Sequence, residues 1–269
     1  GMTGMSAAEE LTKRGASCTI FEKESVVGGL AGSFQVDGVY LEKFYHHLFT
    51  SDQAAVELIE RLGWGDHLEW VPTTNSYYLN RIYHLSTPLD LLKFSSISLI
   101  GRFRLGLLYI MTRFVDDWKK LEQITAREWL IKMAGREVYD RVWQPLLRGK
   151  FGRYADEVAA VWIWNKLKLR GSSRGKKQEE RLGYVRGGFG QIVDTWERKL
   201  RERGVEINLW SPVQQVQIEE GQATGVVVDD QFRAFDRVLV TTAPDLFLDM
   251  APNLPENYRT QLGQIKYLA

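Results

Sequence analysis

The chain has 269 residues, 44% hydrophobic and 26% charged, with a formal net charge of +1. That is enough chain for a sizeable core in one large domain or two small ones, and the near-neutral balance argues against nucleic acid as a main partner. Cys18 is the only cysteine, which excludes an internal disulfide and a cysteine metal cluster; cytoplasmic residence is the expectation.

The opening GMTGMSAAEELTKRG sets Gly1 and Gly4 ahead of a helix predicted over 6–14, with Met5, Ala8 and Leu11 on one face and Gly15 to stop it. SCTIFE (17–22) reads as a short buried strand, apolar without alternation. The glycine-rich GGLAGSF follows, then DGVYLEKFYHHLFTSD, whose DG turn and aromatic residues predict short strands. Ser51 or Asp52 can cap a helix carrying Ala55, Leu58, Ile59 and Leu62, closed by Gly63.

From about Pro88 to Arg170 the pattern turns helical and rich in Leu, Trp and Arg, as in a subdomain inserted into an α/β domain. Its most apolar run, FSSISLIGRFRLGLLYIM, is broken by Arg102 and Arg104 and falls short of the ~20 residues of an integral membrane span. It leaves room for peripheral membrane contact. LRGSSRGKKQEER reads as an exposed connector. Beyond it Ile192, Val193, Trp196 and Leu200 form a helical stripe ended by Gly204, and 205–209 begins a strand. VQQVQI, GVVVDD and FDRVLVTTAP predict three more strands, with turns at EEGQ and DDQ. The expected boundaries are 1–87, 88–180 and 181–269.

A dinucleotide fingerprint reads G-x-G-x-x-G between a strand and a helix, with an acid about twenty residues on. Gly1 and Gly4 fit its second and third glycines, and Glu22 fits the acid. The second glycine lets the backbone approach a pyrophosphate, and the helix N-terminus offers free N–H groups and about half a positive charge. Glu22 can accept hydrogen bonds from ribose hydroxyls. Read alone, the two glycines are a weak signal, and residues left ahead of a start methionine are the competing reading.

EKESVVGGLAGSF then adds Gly28 and Gly29, six and seven residues after Glu22. The combination resembles the flavoprotein superfamily of monoamine oxidase, protoporphyrinogen oxidase, phytoene desaturase and UDP-galactopyranose mutase. The resemblance implies FAD as cofactor, held by a Rossmann-like domain whose first strand is missing here, with an inserted helical substrate subdomain. It implies cofactor contacts from Gly1, Met2, Thr3, Gly4, Glu22, Lys23, Gly28 and Gly29. Leu30 stands at a further such position, where many amine oxidases carry a basic residue. YVRGGFGQ and the elements after it are similar to the family's second glycine pair (Gly187, Gly188) and its adenine-contacting valine, Val213. WQPLLRGKFG, with Trp143 and Pro145, resembles a helical segment of the protoporphyrinogen-oxidase-like branch. YHHLFTSD resembles a flavin-proximal segment of the mutases and makes His47 the catalytic candidate; structural histidines in an aromatic loop are the competing reading.

The implied activity is FAD-dependent removal of hydride from a C–N or C–C bond of a small molecule. A mutase-like flavin isomerase and a non-catalytic nucleotide-binding or interaction module are the alternatives. No metal spacing stands out, and the oligomeric state stays open. The family pattern extends beyond both ends, so the chain is expected to be a fragment that holds FAD poorly or not at all by itself.

Overall fold

A computed structural model describes residues 1–74, 76–79, 81–85, 87–172 and 180–265. Most of the predicted connector LRGSSRGKKQEER lies outside the described residues. Two compact units emerge, one from residues 1–46, 58–67 and 185–269, the other from 47–57 and 68–184.

Helix α1 runs Met2–Lys13 and strand β1 Thr19–Phe21. The predicted start at Ser6 is four residues late, since Gly1 serves as N-cap without any side-chain bond and Met2 to Gly4 already form the first turn. Leu11 also leaves the predicted face. At 100° per residue it lies about 120° round from Met5, whereas Glu9 lies about 40° away and is buried in its place. Strands β2 (Ser33–Val36) and β3 (Val39–Glu42) form an antiparallel hairpin. Its turn residues, Asp37 and Gly38, have φ of 50° and 79°, the geometry of a two-residue type I′ turn.

Helix α2 (Gln53–Arg61) is followed by β4 (Leu68–Thr73), β5 (Ser76–Leu79) and β6 (Arg81–His84), the last two an antiparallel pair. Then come α3 (Pro88–Lys93), α4 (Leu99–Met111), α5 (Lys119–Glu122), α6 (Ala126–Ala134), α7 (Arg136–Val138), α8 (Gln144–Phe151) and α9 (Ala160–Ser172). Thr87 with Asp90 and Thr125 with Glu128 close capping boxes at the starts of α3 and α6. A π turn, Tyr139–Trp143, precedes Pro145, which has no N–H to offer the Arg141 carbonyl. The Tyr77 hydroxyl donates to that carbonyl instead. The core of this unit gathers Phe94, Leu108, Leu130, Val138 and Leu147, with the Trp164 indole donating to Thr112 O at 2.9 Å.

Strand β7 (Glu180–Val185) pairs with β4. Helix α10 (Gly190–Glu202) buries Ile192, Val193, Trp196 and Leu200 and packs on α1. Strand β8 (Glu206–Asn208) pairs in parallel with β1, matching Thr19 with Glu206. Strands β9 (Val213–Glu219), β10 (Gln222–Val228) and β11 (Gln231–Ala234) make an antiparallel meander, and α11 (Pro244–Met250) and α12 (Glu256–Gly263) follow.

The strand predicted over FDRVLVTTAP does not form. Phe235 N–H still reaches Thr224 O at 2.9 Å, but residues 236–243 carry no ladder. Val238 and Val240 do turn inward onto the cluster around Val216. Alternation therefore marks a buried face, while a strand also needs a ladder with a neighbouring edge, and this segment makes none among the described residues. Among the same residues no helix is long and apolar enough to cross a membrane.

Candidate functional site

The first intrahelical bond of α1 runs from Met5 N to Gly1 O at 3.2 Å, so the N–H groups of Met2, Thr3 and Gly4 have no acceptor within the helix. No acid occupies the first turn and no side chain caps it. This end of α1 therefore presents bare donors and partial positive charge.

The Gly28–Gly29 pair is pressed against it. A Cβ placed on Gly29 would stand 3.0 Å from the Gly1 Cα, so the two backbones touch. Gly28 has φ of 109° and Gly29 of 59°, which L side chains rarely adopt. A Cβ on Gly28 would also lie 3.1 Å from Val193 Cγ1 and 3.2 Å from Gly32 Cα. Both glycines are thus required by conformation and by space.

Glu22 follows β1 directly and is fixed through its backbone, donating to Asn208 O and accepting from Ser211 N, each at 2.9 Å. Its carboxylate accepts from Glu24 N at 3.2 Å and lies 3.5 Å from Gly1 N. Val213, two residues past Ser211, opens β9 and packs its side chain onto the cluster of Val216 and Val226. Lys23 is exposed, its Nζ 3.8 Å from Glu24. Leu30 is exposed in the 3-10 turn Gly29–Ala31 and adds no charge there. The Lys43 stem does pass this loop, its Cδ and Cε 3.8 Å from a Cβ placed on Gly32.

Gly1, Met2, Thr3, Gly4, Glu22, Lys23, Gly28, Gly29, Leu30 and Val213 all lie in the first unit. A chain of backbone and carboxylate contacts links Gly29, Gly1, Glu22 and the start of β9. The arrangement fits a dinucleotide: side-chain-free backbone and free N–H groups for the phosphates, and a carboxylate one step away for a ribose. Gly187 and Gly188 have φ of 88° and 94°. A Cβ on Gly188 would meet Tyr40 Cβ at 2.9 Å, so this pair lets the hairpin strand β3 close in.

Three further residues border the site without any local signal in the sequence. Val193 fills the space beneath Gly28, and Thr241 Oγ1 lies 3.2 Å from a Cβ placed on Gly4. Trp210 is exposed at φ 55°, unusual for a bulky residue, and its N–H is held by Glu24 O at 3.1 Å. Each comes from a segment far along the chain, which only the fold brings near.

Buried Glu9 anchors α1. It accepts from the Trp196 indole at 2.8 Å and from Arg203 at 3.1 Å, pairs with Lys13 at 3.3 Å, and also pairs with Arg61. Burial alone would raise its carboxyl pKa. Hydrogen bonds from Arg61 and Trp196, and the Arg61 charge, outweigh that and hold it below the ordinary carboxylate range.

His46 and His47 part company. In the first unit the His46 ring stacks on Phe189 with centroids 5.7 Å apart. His47 belongs to the second unit, edge-on to Phe49 at 5.3 Å and tilted to Tyr184 at 6.4 Å. Its pKa is lowered, first by burial and then by the Arg170 and Lys166 charges, with Glu180 and Asp52 opposing. The ring is therefore neutral at pH 7.

The family described as flavin containing amine oxidoreductase matches residues 2–268. The chain is 25% identical to coproporphyrinogen III oxidase of Staphylococcus aureus, over 93% of this chain and 60% of that protein. It is 22% identical to protoporphyrinogen oxidase 2, chloroplastic/mitochondrial, of Arabidopsis thaliana, over 64% and 36% of the respective lengths. Among solved structures, an oxidoreductase from Methanosarcina mazei superposes with a TM-score of 0.75 at 18% identity, covering 99% of this chain and 64% of that one. The chain thus spans less than two thirds of each of these proteins.

Proposed function

Because this chain belongs to the flavin-containing amine oxidoreductase family, we propose that it is the FAD-holding and substrate-covering part of an oxidoreductase acting on a small molecule, as porphyrinogen oxidases do. The observation that carries this reading is the backbone contact of Gly29 with Gly1 at the uncapped start of α1, with Glu22 beside it. In this reading 1–87 and 181–269 form a Rossmann-like FAD-binding domain and 88–180 a helical substrate subdomain.

Each residue then has a task. The N–H groups of Met2, Thr3 and Gly4 meet the diphosphate, and the Gly28–Gly29 backbone lets it approach without a side chain between them. Glu22 accepts from the adenosine ribose, and Val213 borders the adenine. Lys43 carries to the loop the positive charge that Leu30 lacks. FAD, when bound, supplies the two-electron acceptor for a hydride leaving a substrate carbon as a C–N or C–C bond becomes double and a proton is released. His47, the catalytic candidate, is neutral and in that state can accept a proton or a hydrogen bond.

The test uses the full-length gene product. It should purify yellow, and anaerobic coproporphyrinogen, protoporphyrinogen or a primary amine should bleach the flavin band. A full-length protein that binds no flavin, even after FAD is titrated in, would overturn the assignment.

A further inference from the structure

We infer that Trp210 holds the adenine of the bound dinucleotide and so favours FAD over FMN, an inference that rests on the FAD reading of the site.

Trp210 stands out on two counts. Its φ of 55° lies in the left-handed region, where the Cβ of an L residue crowds the following carbonyl. The other described non-glycine residues with positive φ are Asp37, Glu220, Asp229 and Asp230, all acids in hairpin turns. Trp210 is also 71% exposed, whereas the next most exposed tryptophan, Trp118, is at 43%. Little packing therefore offsets the backbone strain. The strain is nonetheless locked in. Trp210 N donates to Glu24 O at 3.1 Å, Ser211 N to Glu22 O at 2.9 Å, and Ser211 Oγ to Leu209 O at 3.0 Å. A strained residue that its surroundings over-determine, with its side chain left in water, has the character of a ligand contact.

Its place in the fold names the ligand group. Strands β1 and β8 run parallel and end together, with Glu22 following the one and Leu209 and Trp210 the other. Ligands of open α/β sheets lie beyond the carboxyl ends of the strands. The Glu22 carboxylate is 3.5 Å from Gly1 N at the uncapped start of α1, while its backbone is bonded to Asn208 and Ser211. A dinucleotide with its diphosphate on α1 and a ribose on Glu22 therefore brings its base to residues 209–213. Val213 has only part of its surface to give, because it packs on the meander cluster. Trp210 supplies an exposed indole, and aromatic faces bind flat bases by stacking. Glu22 and Glu24 on the facing stretch repel an anionic ligand group, whereas adenine is uncharged.

The experiment measures FAD, ADP and FMN binding to the full-length apoprotein by titration calorimetry. Trp210→Gly accepts the left-handed backbone and removes the indole. It should weaken FAD and ADP about tenfold each and leave the FMN signal, which owes nothing to adenine, unchanged. Trp210→Phe keeps an aromatic face and should bind FAD within about threefold of the wild type. Because glycine relieves the strain, the Trp210→Gly apoprotein should melt about 1–3 °C above the wild type. A purely structural role would instead lower stability and affinity together. Wild-type affinity for FAD and ADP in Trp210→Gly would overturn the adenine contact while leaving the FAD assignment intact. So would a loss shared equally by FMN, or a lower melting temperature accompanying weaker FAD binding. Failure of the wild type to bind FAD would overturn the FAD assignment itself, and the adenine contact with it.

Discussion

Replacing Glu9 by alanine is the sharpest probe of how α1 is held. The carboxylate is buried, and it is the acceptor found for the indole N–H of Trp196, a residue only 2% exposed. Removing it strands that donor, a loss of about 1–3 kcal/mol. The cations around it behave differently. The Lys13, Arg61 and Arg203 side chains are 44%, 45% and 43% exposed, so water takes over much of their solvation and the three together lose about 1 kcal/mol. The expected total is about 2–4 kcal/mol, read from urea unfolding followed by tryptophan fluorescence. The partition is checkable. In a Trp196→Phe background the stranded donor no longer exists, so Glu9→Ala should lose only the smaller, cationic part. An equal cost in both backgrounds, or a cost below about 0.5 kcal/mol in the wild type, would refute this account of the anchor.

The same carboxylate has a pH signature. Its pKa is depressed in the folded state, so its contribution is full above the unfolded value of about 4.3 and fades as pH falls through the folded value; the stability gap between wild type and Glu9→Gln should close on acidification. Glu22→Gln should weaken FAD binding by about 1–3 kcal/mol in a fluorescence titration while leaving the melting temperature of the apoprotein unchanged, and an unaltered affinity would remove Glu22 from the ribose. Gly29→Ala places a Cβ 3.0 Å from the Gly1 Cα at φ 59°, so it should cost about 1–2 kcal/mol in stability and more in FAD affinity; wild-type affinity in the Gly29→Ala variant would show that the close backbone approach is dispensable. His47, titrated by NMR, should show a pKa below the usual imidazole value, and Arg170→Gln should move it back up.

Features set by neighbouring residues were legible in the sequence. The stripe of Ile192, Val193, Trp196 and Leu200 is buried as its spacing requires, because a 3.6-residue repeat puts those side chains on one face whatever they pack against. The Asp37–Gly38 hairpin and the Glu220–Gly221 and Asp229–Asp230 turns of the meander follow from local backbone preference. Glu22 at the end of β1 and the double glycine after it follow from spacing alone. What depends on distant segments was not legible. The sequence could not show that Val193 and Gly1 crowd Gly28 and Gly29 from two directions, or that Glu9 displaces Leu11 because Trp196, Arg61 and Arg203 converge on it. FDRVLVTTAP has the composition and alternation of a strand, yet a ladder requires a partner edge, and that is a property of the fold. The assembly of each unit from separated stretches of chain is likewise a tertiary outcome, since local pattern fixes which face of an element is apolar but not which other element will cover it.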